Sequence, residues 1–224
     1  MDYSIKKAVL TFSSDIYFWQ RDAEKLRGFF TKLYTDESLF HNHGKEKEYI
    51  YRMPLIQYKV IEGKLVVVGI NEGAELVKNE FLKHKVLPIG DDQIVEFETQ
   101  LDLKLEELKV TDELYSYRFE TPWLPINQKN ISDYRKGKLD LDRVLTNNIL
   151  TIFKGIKIEA DKKIMVKGEY EERKIEMKDI IVIGFVGNFV SNVKIPDFLG
   201  IGNRGSSGFG CVVKKRSEEH TSEL

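Results

Sequence analysis

The chain has 224 residues, 42% hydrophobic and 32% charged, a balance that suits a core-forming globular protein and excludes a disordered one. Its formal net charge of −1 gives no global field for a polyanion, so a nucleic-acid site would have to be a local patch. The single cysteine, Cys211, rules out an internal disulfide and a Cys-based zinc site. No apolar run approaches the roughly 20 residues of a membrane span, and the opening MDYSIKKAVLTF has no signal-peptide core, so no membrane association and a cytoplasmic location are expected.

Residues 6–13, KKAVLTFS, read as a first strand. Residues 21–34 place Ala23, Leu26, Phe29, Phe30 and Leu33 at helical spacing, with Asp22 near the start. Two strand-like runs follow, 48–61 and 64–70, divided by the hairpin signal Glu62-Gly63. Residues 71–85 read as a second helix, and 93–110 alternate as a strand through Val95, Phe97, Leu101, Leu103 and Leu105. The order β-α-β-β-α-β is the split βαβ, or ferredoxin-like, pattern over residues 1–110.

The second half, 111–215, opens in the same way, with a strand at 114–126 and a helix at 139–153. Short strands at 156–160, 163–170 and 173–190 come next, and CVVKK (211–215) is the last. The expected class is α+β, two tandem ferredoxin-like (RRM-like) domains, the second with a shortened second helix. Residues 216–224, RSEEHTSEL, look like a translated sequencing adapter and are expected to be non-native. Removing their net −2 (Arg216 against Glu218, Glu219 and Glu223) leaves −1 + 2 = +1.

Just before the last strand stands FLGIGNRGSSGFG, residues 198–210. Glycine-rich segments let backbone amides approach a phosphate. The spacing from Gly200 to Gly205 suits a P-loop, but Ser206 stands where the lysine must be. A Rossmann turn must open a helix, and here a strand follows. A flexible hairpin loop is the plain alternative.

The pattern G-I-G-x-x-x-x-x-G-F-G before a short apolar strand, carried by Gly200, Gly202, Gly208 and Gly210, resembles the glycine-rich loop of the RAMP superfamily of CRISPR-associated proteins. Within it the chain most resembles the sixth Cas protein family, the endoribonucleases that cut CRISPR repeat RNA. RMPLIQYKVIEGKLVVVGINEGAELV (52–77) is similar to one branch of that family. The resemblance implies RNA binding by Asn203, Arg204, Gly205, Ser206 and Ser207, beside a cleft between the two domains.

His41 and His43, in F-H-N-H-G after the first helix, are the candidate chemistry. They read as solvated loop residues, as a metal pair, or as proton shuttles. A zinc site needs three or four ligands, and none accompanies the pair, so no metal and no cofactor are expected. The contiguous letters HNH are no evidence for an HNH nuclease. For RNA, imidazoles that titrate near neutrality can take the 2′-hydroxyl proton and return one to the leaving 5′-oxygen. The resemblance supports this, because the family commonly places a catalytic histidine here. It also implies an assisting tyrosine, for which Tyr51 and Tyr49 share one strand face.

Lys129, Arg135, Lys136 and Lys138 stand against one acid, Asp133, and are candidate phosphate contacts; an ordinary solvated lysine-rich loop is the alternative. The expected function is metal-independent cleavage of CRISPR repeat RNA, giving 2′,3′-cyclic phosphate and 5′-hydroxyl ends. The alternative is a non-catalytic RNA-binding subunit of a CRISPR effector complex, whose other subunits would then be partners. A homodimer is compatible with either.

Overall fold

The computed structural model describes residues 2–34, 53–88, 94–177 and 180–215. The first half builds β1 (Ser4–Ser13), α1 (Asp22–Leu33), β2 (Ile56–Ile61), β3 (Lys64–Ile70) and α2 (Glu72–Asn79), then a short hairpin of β4 (Val86–Pro88) with β5 (Ile94–Glu96), and β6 (Glu98–Glu107). Its four-stranded sheet runs β2-β3-β1-β6, every neighbour antiparallel. That is the ferredoxin-like order. The Glu62-Gly63 turn joins β2 to β3 with both residues at positive φ, +50° and +74°, the geometry that matches strand twist in a tight hairpin.

The second half builds β7 (Lys109–Phe119), α3 (Ile131–Arg135), α4 (Leu141–Gly155), β8 (Val166–Met177), β9 (Ile180–Lys194) and β10 (Val212–Lys214). Its sheet runs β10-β7-β9-β8, the same order again. Where the first half has α2, the second has only a loop and one 3₁₀ turn, Gly205–Ser207. The α+β class with tandem ferredoxin-like units is therefore observed, the second with its second helix reduced to that turn.

Element limits differ in instructive places. The run 93–110 is not one strand. It breaks at Phe97, whose amide donates to the Lys85 carbonyl (2.7 Å), and again at fully buried Leu108, whose amide donates to the Tyr3 carbonyl (3.0 Å), after which β7 begins at once. Residues 156–160 form no strand, because the chain leaves α4 through Lys157 at φ +59°. The stretches 163–170 and 173–190 are a single long hairpin, β8 paired with β9 from Val166↔Ser191 to Met177↔Ile180. Lysines and glutamates along β8 keep this edge strand soluble. The second helix stops at Asn79 and continues as a 3₁₀ turn, Phe81–Lys83. Of the run 48–61, only 56–61 is strand among the described residues.

Both faces of β3 are covered, while the edge strand β6 is largely exposed. Ala8, Leu10, Phe12, Leu65 and Val67 pack under α1 and α2 with Ala23, Leu26, Phe30, Ala74 and Val77. Val66, Val68 and Ile70, on the opposite face of β3, join the second unit's core around Trp123, Ile149 and Phe189. This explains why β3 reads as the unbroken apolar run LVVVGI: a strand buried on both faces has no polar side to alternate. Among the described residues no helix is long and apolar enough to cross a membrane.

Candidate nucleic-acid interface

The face of the first sheet that meets the second unit also carries polar residues. In IQYKVI, Ile56, Tyr58 and Val60 turn toward α1, so Gln57 and Lys59 alternate to the other side. There both are fully buried. What buries them is the glycine-rich loop. Gln57 Oε1 accepts from the Gly200 amide (2.8 Å) and from Lys59 Nζ (3.0 Å), and Lys59 also reaches the Gly205 carbonyl at 3.4 Å. Burial pushes the Lys59 pKa below its ordinary value. It also pushes the neighbouring Cys211 thiol up to about 11, against the opposing pull of Lys59.

The loop is closed at its base by backbone bonds, Phe198 to Val212 (2.8 Å) and Ile201 to Gly210 (2.9 Å). Its tip is gripped by α1 and the turn before it. Gln20 Nε2 donates to the Gly208 carbonyl (2.6 Å), Arg27 Nη1 to Ser207 Oγ (3.1 Å) and Arg204 Nη1 to Glu24 Oε1 (2.6 Å). Gly208 is demanded by its backbone conformation, and a side chain there would also displace the Gln20 amide. Its φ is +93°, and a Cβ there would sit 2.5 Å from Gln20 Nε2. The glycines thus let the loop approach the first unit closely enough to be bonded to it.

The RNA-binding candidates of the loop occupy different environments. Arg204 is exposed, held in a left-handed conformation (φ +57°) and steadied by Glu24. Asn203 and Ser206 are half-buried, and Asn203 Nδ2 donates to the Ile126 carbonyl (3.4 Å). Gly205 and Ser207 are buried, and Ser207 is occupied by Arg27. The Ile126 contact brings the loop to the start of the basic segment. Lys129, Arg135, Lys136 and Lys138 are all exposed along it. Asn130, bonded to the Pro125 carbonyl (2.9 Å), and Tyr134, bonded to Glu172 (2.5 Å) and edge-on to Phe185, fix that segment to the second unit.

His41, His43, Tyr49 and Tyr51 lie outside the described residues. The chain leaves toward them from Tyr34, at the end of the helix that holds the loop, and returns at buried Met53, against Gly155 of α4. Near that exit, Tyr34 Oη and His84 Nε2 are 2.8 Å apart, with Phe29 and Phe30 edge-on to the imidazole. Burial lowers the His84 pKa, with Glu80 opposing and Lys83 adding to the effect. In the sequence, the place of His84 late in the second helix suggests a histidine that is solvated or faces the helix dipole. The partner is 50 residues away in the chain, and no local pattern announces it. Gln20, Glu24, Arg27, Gln57 and Lys59 also escape a reading by motif. The polar alternation in IQYKVI reads as a water-facing side, and nothing local shows that the loop covers it. Among the described residues no group of three His, Cys, Asp or Glu side chains is placed to hold a metal ion.

Comparison with known proteins agrees along nearly the whole chain. The model of the Cas6b N-terminal domain matches residues 3–107, and that of the Cas6b C-terminal domain matches 109–215. An uncharacterized protein of Methanocaldococcus jannaschii is 36% identical over 118 residues, covering 50% of this chain and 80% of that one. A crystal structure of Cas6b superposes with a TM-score of 0.86 at 32% identity, covering 95% of this chain and 100% of that one. A crystal structure of a CRISPR RNA processing endoribonuclease Cas6b superposes at 0.75 and 29% identity, with the same coverage. Two ferredoxin-like units, a glycine loop bonded between them and matches to both family models together lead to one conclusion: the chain belongs to the Cas6b family of CRISPR-associated RAMP-fold proteins.

Proposed function

We propose that this protein is an endoribonuclease that processes CRISPR repeat RNA without a metal ion. The observation that carries the reading is the seat of the glycine loop. It is bonded to the helix that leads directly to His41 and His43, and it touches the segment bearing Lys129, Arg135, Lys136 and Lys138. Those residues and Arg204 would hold an RNA strand by its phosphates. Gly205 and Ser207, being buried, serve by shaping the loop, while Asn203 and Ser206 have edges that remain accessible.

In the proposed reaction one imidazole of His41 and His43 takes the 2′-hydroxyl proton. The 2′-oxygen bonds to the adjacent phosphorus, the bond to the 5′-oxygen breaks, and the other imidazole protonates the leaving oxygen. The products are a 2′,3′-cyclic phosphate and a 5′-hydroxyl. Tyr51, or Tyr49, donates a hydrogen bond to the 2′-oxygen or the phosphate. We take residues 1–110 and 111–215 as the two functional units, and 216–224 as dispensable.

Repeat RNA incubated with the protein in excess EDTA is expected to be cut, and a 2′-deoxy substitution upstream of the scissile bond to abolish cutting while leaving binding intact. His41→Ala or His43→Ala should slow single-turnover cleavage by at least about a hundredfold. Normal cutting by the double variant would remove the histidines from the mechanism. Tight binding with no product under any condition would make the chain an RNA-binding subunit instead.

A further inference from the structure

The turn between β1 and α1 reads Tyr17-Phe18-Trp19. Phe18 is buried and packs on Phe97 (centroids 5.7 Å apart), whereas Tyr17 and Trp19 are each 62% exposed. Two large aromatics so exposed forfeit burial that the fold could have used. They are nevertheless held in place. The Tyr17 ring lies on the bare backbone of Gly63, where a Cβ would come within 2.3 Å of it. The Phe18 amide donates to the Gly63 carbonyl (2.9 Å), and the Trp19 amide to Asp22 Oδ2 (2.9 Å). The two rings meet edge to face, 5.1 Å between centroids at 67°.

The pair borders a cleft of about 280 Å³ between the two units, completed by Gln20, Glu62, Glu120 and Thr121. Gln20 is the residue that bonds Gly208 of the glycine loop, and Pro122, also in the wall, accepts from the Gly210 amide (2.8 Å). The cleft is therefore continuous with the loop. No lysine or arginine is among its described lining residues, and two carboxylates are, Glu62 and Glu120, the second with its Oε2 bonded by Arg118 (2.8 Å) and its Oε1 left to face a ligand. A phosphate would be repelled there. A flat, uncharged group that offers N–H donors would be accepted, and the volume sits near the lower end for small-ligand clefts, roughly 300 Å³.

We infer that Tyr17 and Trp19 form a stacking platform for one unpaired nucleobase of the RNA, with the Glu62 and Glu120 side of the cleft favouring bases that carry an amino group, adenine, cytosine or guanine, over uracil. The inference rests on the proposed RNA function and adds to it a base-holding site apart from the phosphate-contacting residues. Stacking is tolerant of sequence because every base has a π-face, and the rigid seat means that little order is lost on binding.

Trp19 reports on the site directly. The chain has two tryptophans, and the other, Trp123, is fully buried. Titrating the full chain with short single-stranded oligo(A), oligo(C) and oligo(U) RNA is expected to quench Trp19 fluorescence, weakest with oligo(U). Trp19→Phe should remove the quenchable signal. In filter binding to repeat RNA, Tyr17→Ala and Trp19→Ala should each weaken affinity about 5- to 150-fold, the ~1–3 kcal/mol of one base–aromatic stack. The dependence on salt should not change, because no phosphate contact is lost. Tyr17→Phe and Trp19→Phe keep a ring in place and should retain most of the affinity. Unquenched Trp19 with all three oligonucleotides, or wild-type affinity in both alanine variants, overturns the platform, and so does a loss shared equally by the phenylalanine variants. A protein that quenches with oligo(A) but neither binds repeat RNA tightly nor cuts it would keep the platform and refute the proposed processing function.

Discussion

Gln57 and Lys59 allow the seat of the glycine loop to be tested by stability alone. Gln57→Leu removes the acceptor shared by the Gly200 amide and the Lys59 ammonium. The amide then loses its partner in a buried place, at about 1–3 kcal/mol. The ammonium keeps only the Gly205 carbonyl at 3.4 Å, and stranding a buried charge brings the total to about 3–5 kcal/mol. For a chain of this size that is a fall in melting temperature of about 6–20 °C, taking about 2–4 °C per kcal/mol. Lys59→Met removes the charge instead of stranding it. It forfeits the two bonds of the ammonium, to Gln57 Oε1 (3.0 Å) and to the Gly205 carbonyl (3.4 Å), but also the cost of burying a charge, and gains apolar packing, so it should be near neutral or slightly stabilising. The double variant should lose the Gly200 term and the long bond from Gln57 Nε2 to the Pro54 carbonyl (3.3 Å), both shared with Gln57→Leu, which leaves a coupling of about 2 kcal/mol in the cycle. Alkali supplies a second reading. With a folded pKa below the unfolded 10.5, Lys59 makes the unfolded state bind more protons in the window that ends at 10.5, so stability rises with pH across it. Lys59→Met should lack that rise. Urea unfolding of the four proteins at several pH values measures all of these. Additive effects, or a Gln57→Leu loss under about 1 kcal/mol, would show that Lys59 is not held as a charge by Gln57, and the reasoning would fail.

The basic segment should show itself in salt dependence. Changing Lys129, Arg135, Lys136 and Lys138 together to glutamine should lower the slope of log affinity against log salt by about 3, if each touches one phosphate of a single strand at roughly 0.7 per contact, with little change in melting temperature because all four are exposed; an unchanged slope would reduce the segment to a solvated loop. His84 should make the protein acid-sensitive. Burial lowers its pKa below 6.5, so the unfolded state takes up the proton first and stability is lost as pH falls from about 6.5 toward the folded value. His84→Gln should flatten the melting profile over that window, and an equally steep loss in the variant would assign the sensitivity elsewhere.

Much of the fold could be read from spacing. Ala23, Leu26 and Phe30 mark α1, Glu62-Gly63 marks its hairpin, and the repeat of strand-helix-strand marks the second unit. What could not be read has a common cause in tertiary contact. The break at Leu108 depends on a bond to Tyr3, and the redivision of 163–170 and 173–190 into β8 and β9 depends on the pairing of those two strands. The site was legible in a different measure. The glycines and the basic cluster announce themselves by composition. Gln57 and Lys59 look like the wet side of a strand, since a sequence cannot show that another domain covers that side. Tyr17 and Trp19 look like two more core aromatics, and only the covered position of Phe18 between them shows which way they point.

The contacts also make the two halves interdependent. Glu24 and Arg27 lie one helical turn apart on α1 and bond the glycine loop, while Ala23, Leu26 and Phe30 hold the same helix to the first sheet. The loop belongs in sequence to the second unit, but its tip is fixed by side chains of the first. Separated halves would not hold the loop in this shape, because Gly200, Ser207 and Gly208 would lose the partners that Gln57, Arg27 and Gln20 provide. A change anywhere along α1 that tilts it against the loop would shift Arg204 through Glu24 and, at the other end, the point from which the chain departs toward His41 and His43. The proposed phosphate contact and the proposed proton transfer would then be disturbed together. Substitutions in the middle of α1 that spare both sites are therefore expected to change RNA affinity and cleavage rate jointly, whereas substitutions of the basic segment change affinity alone.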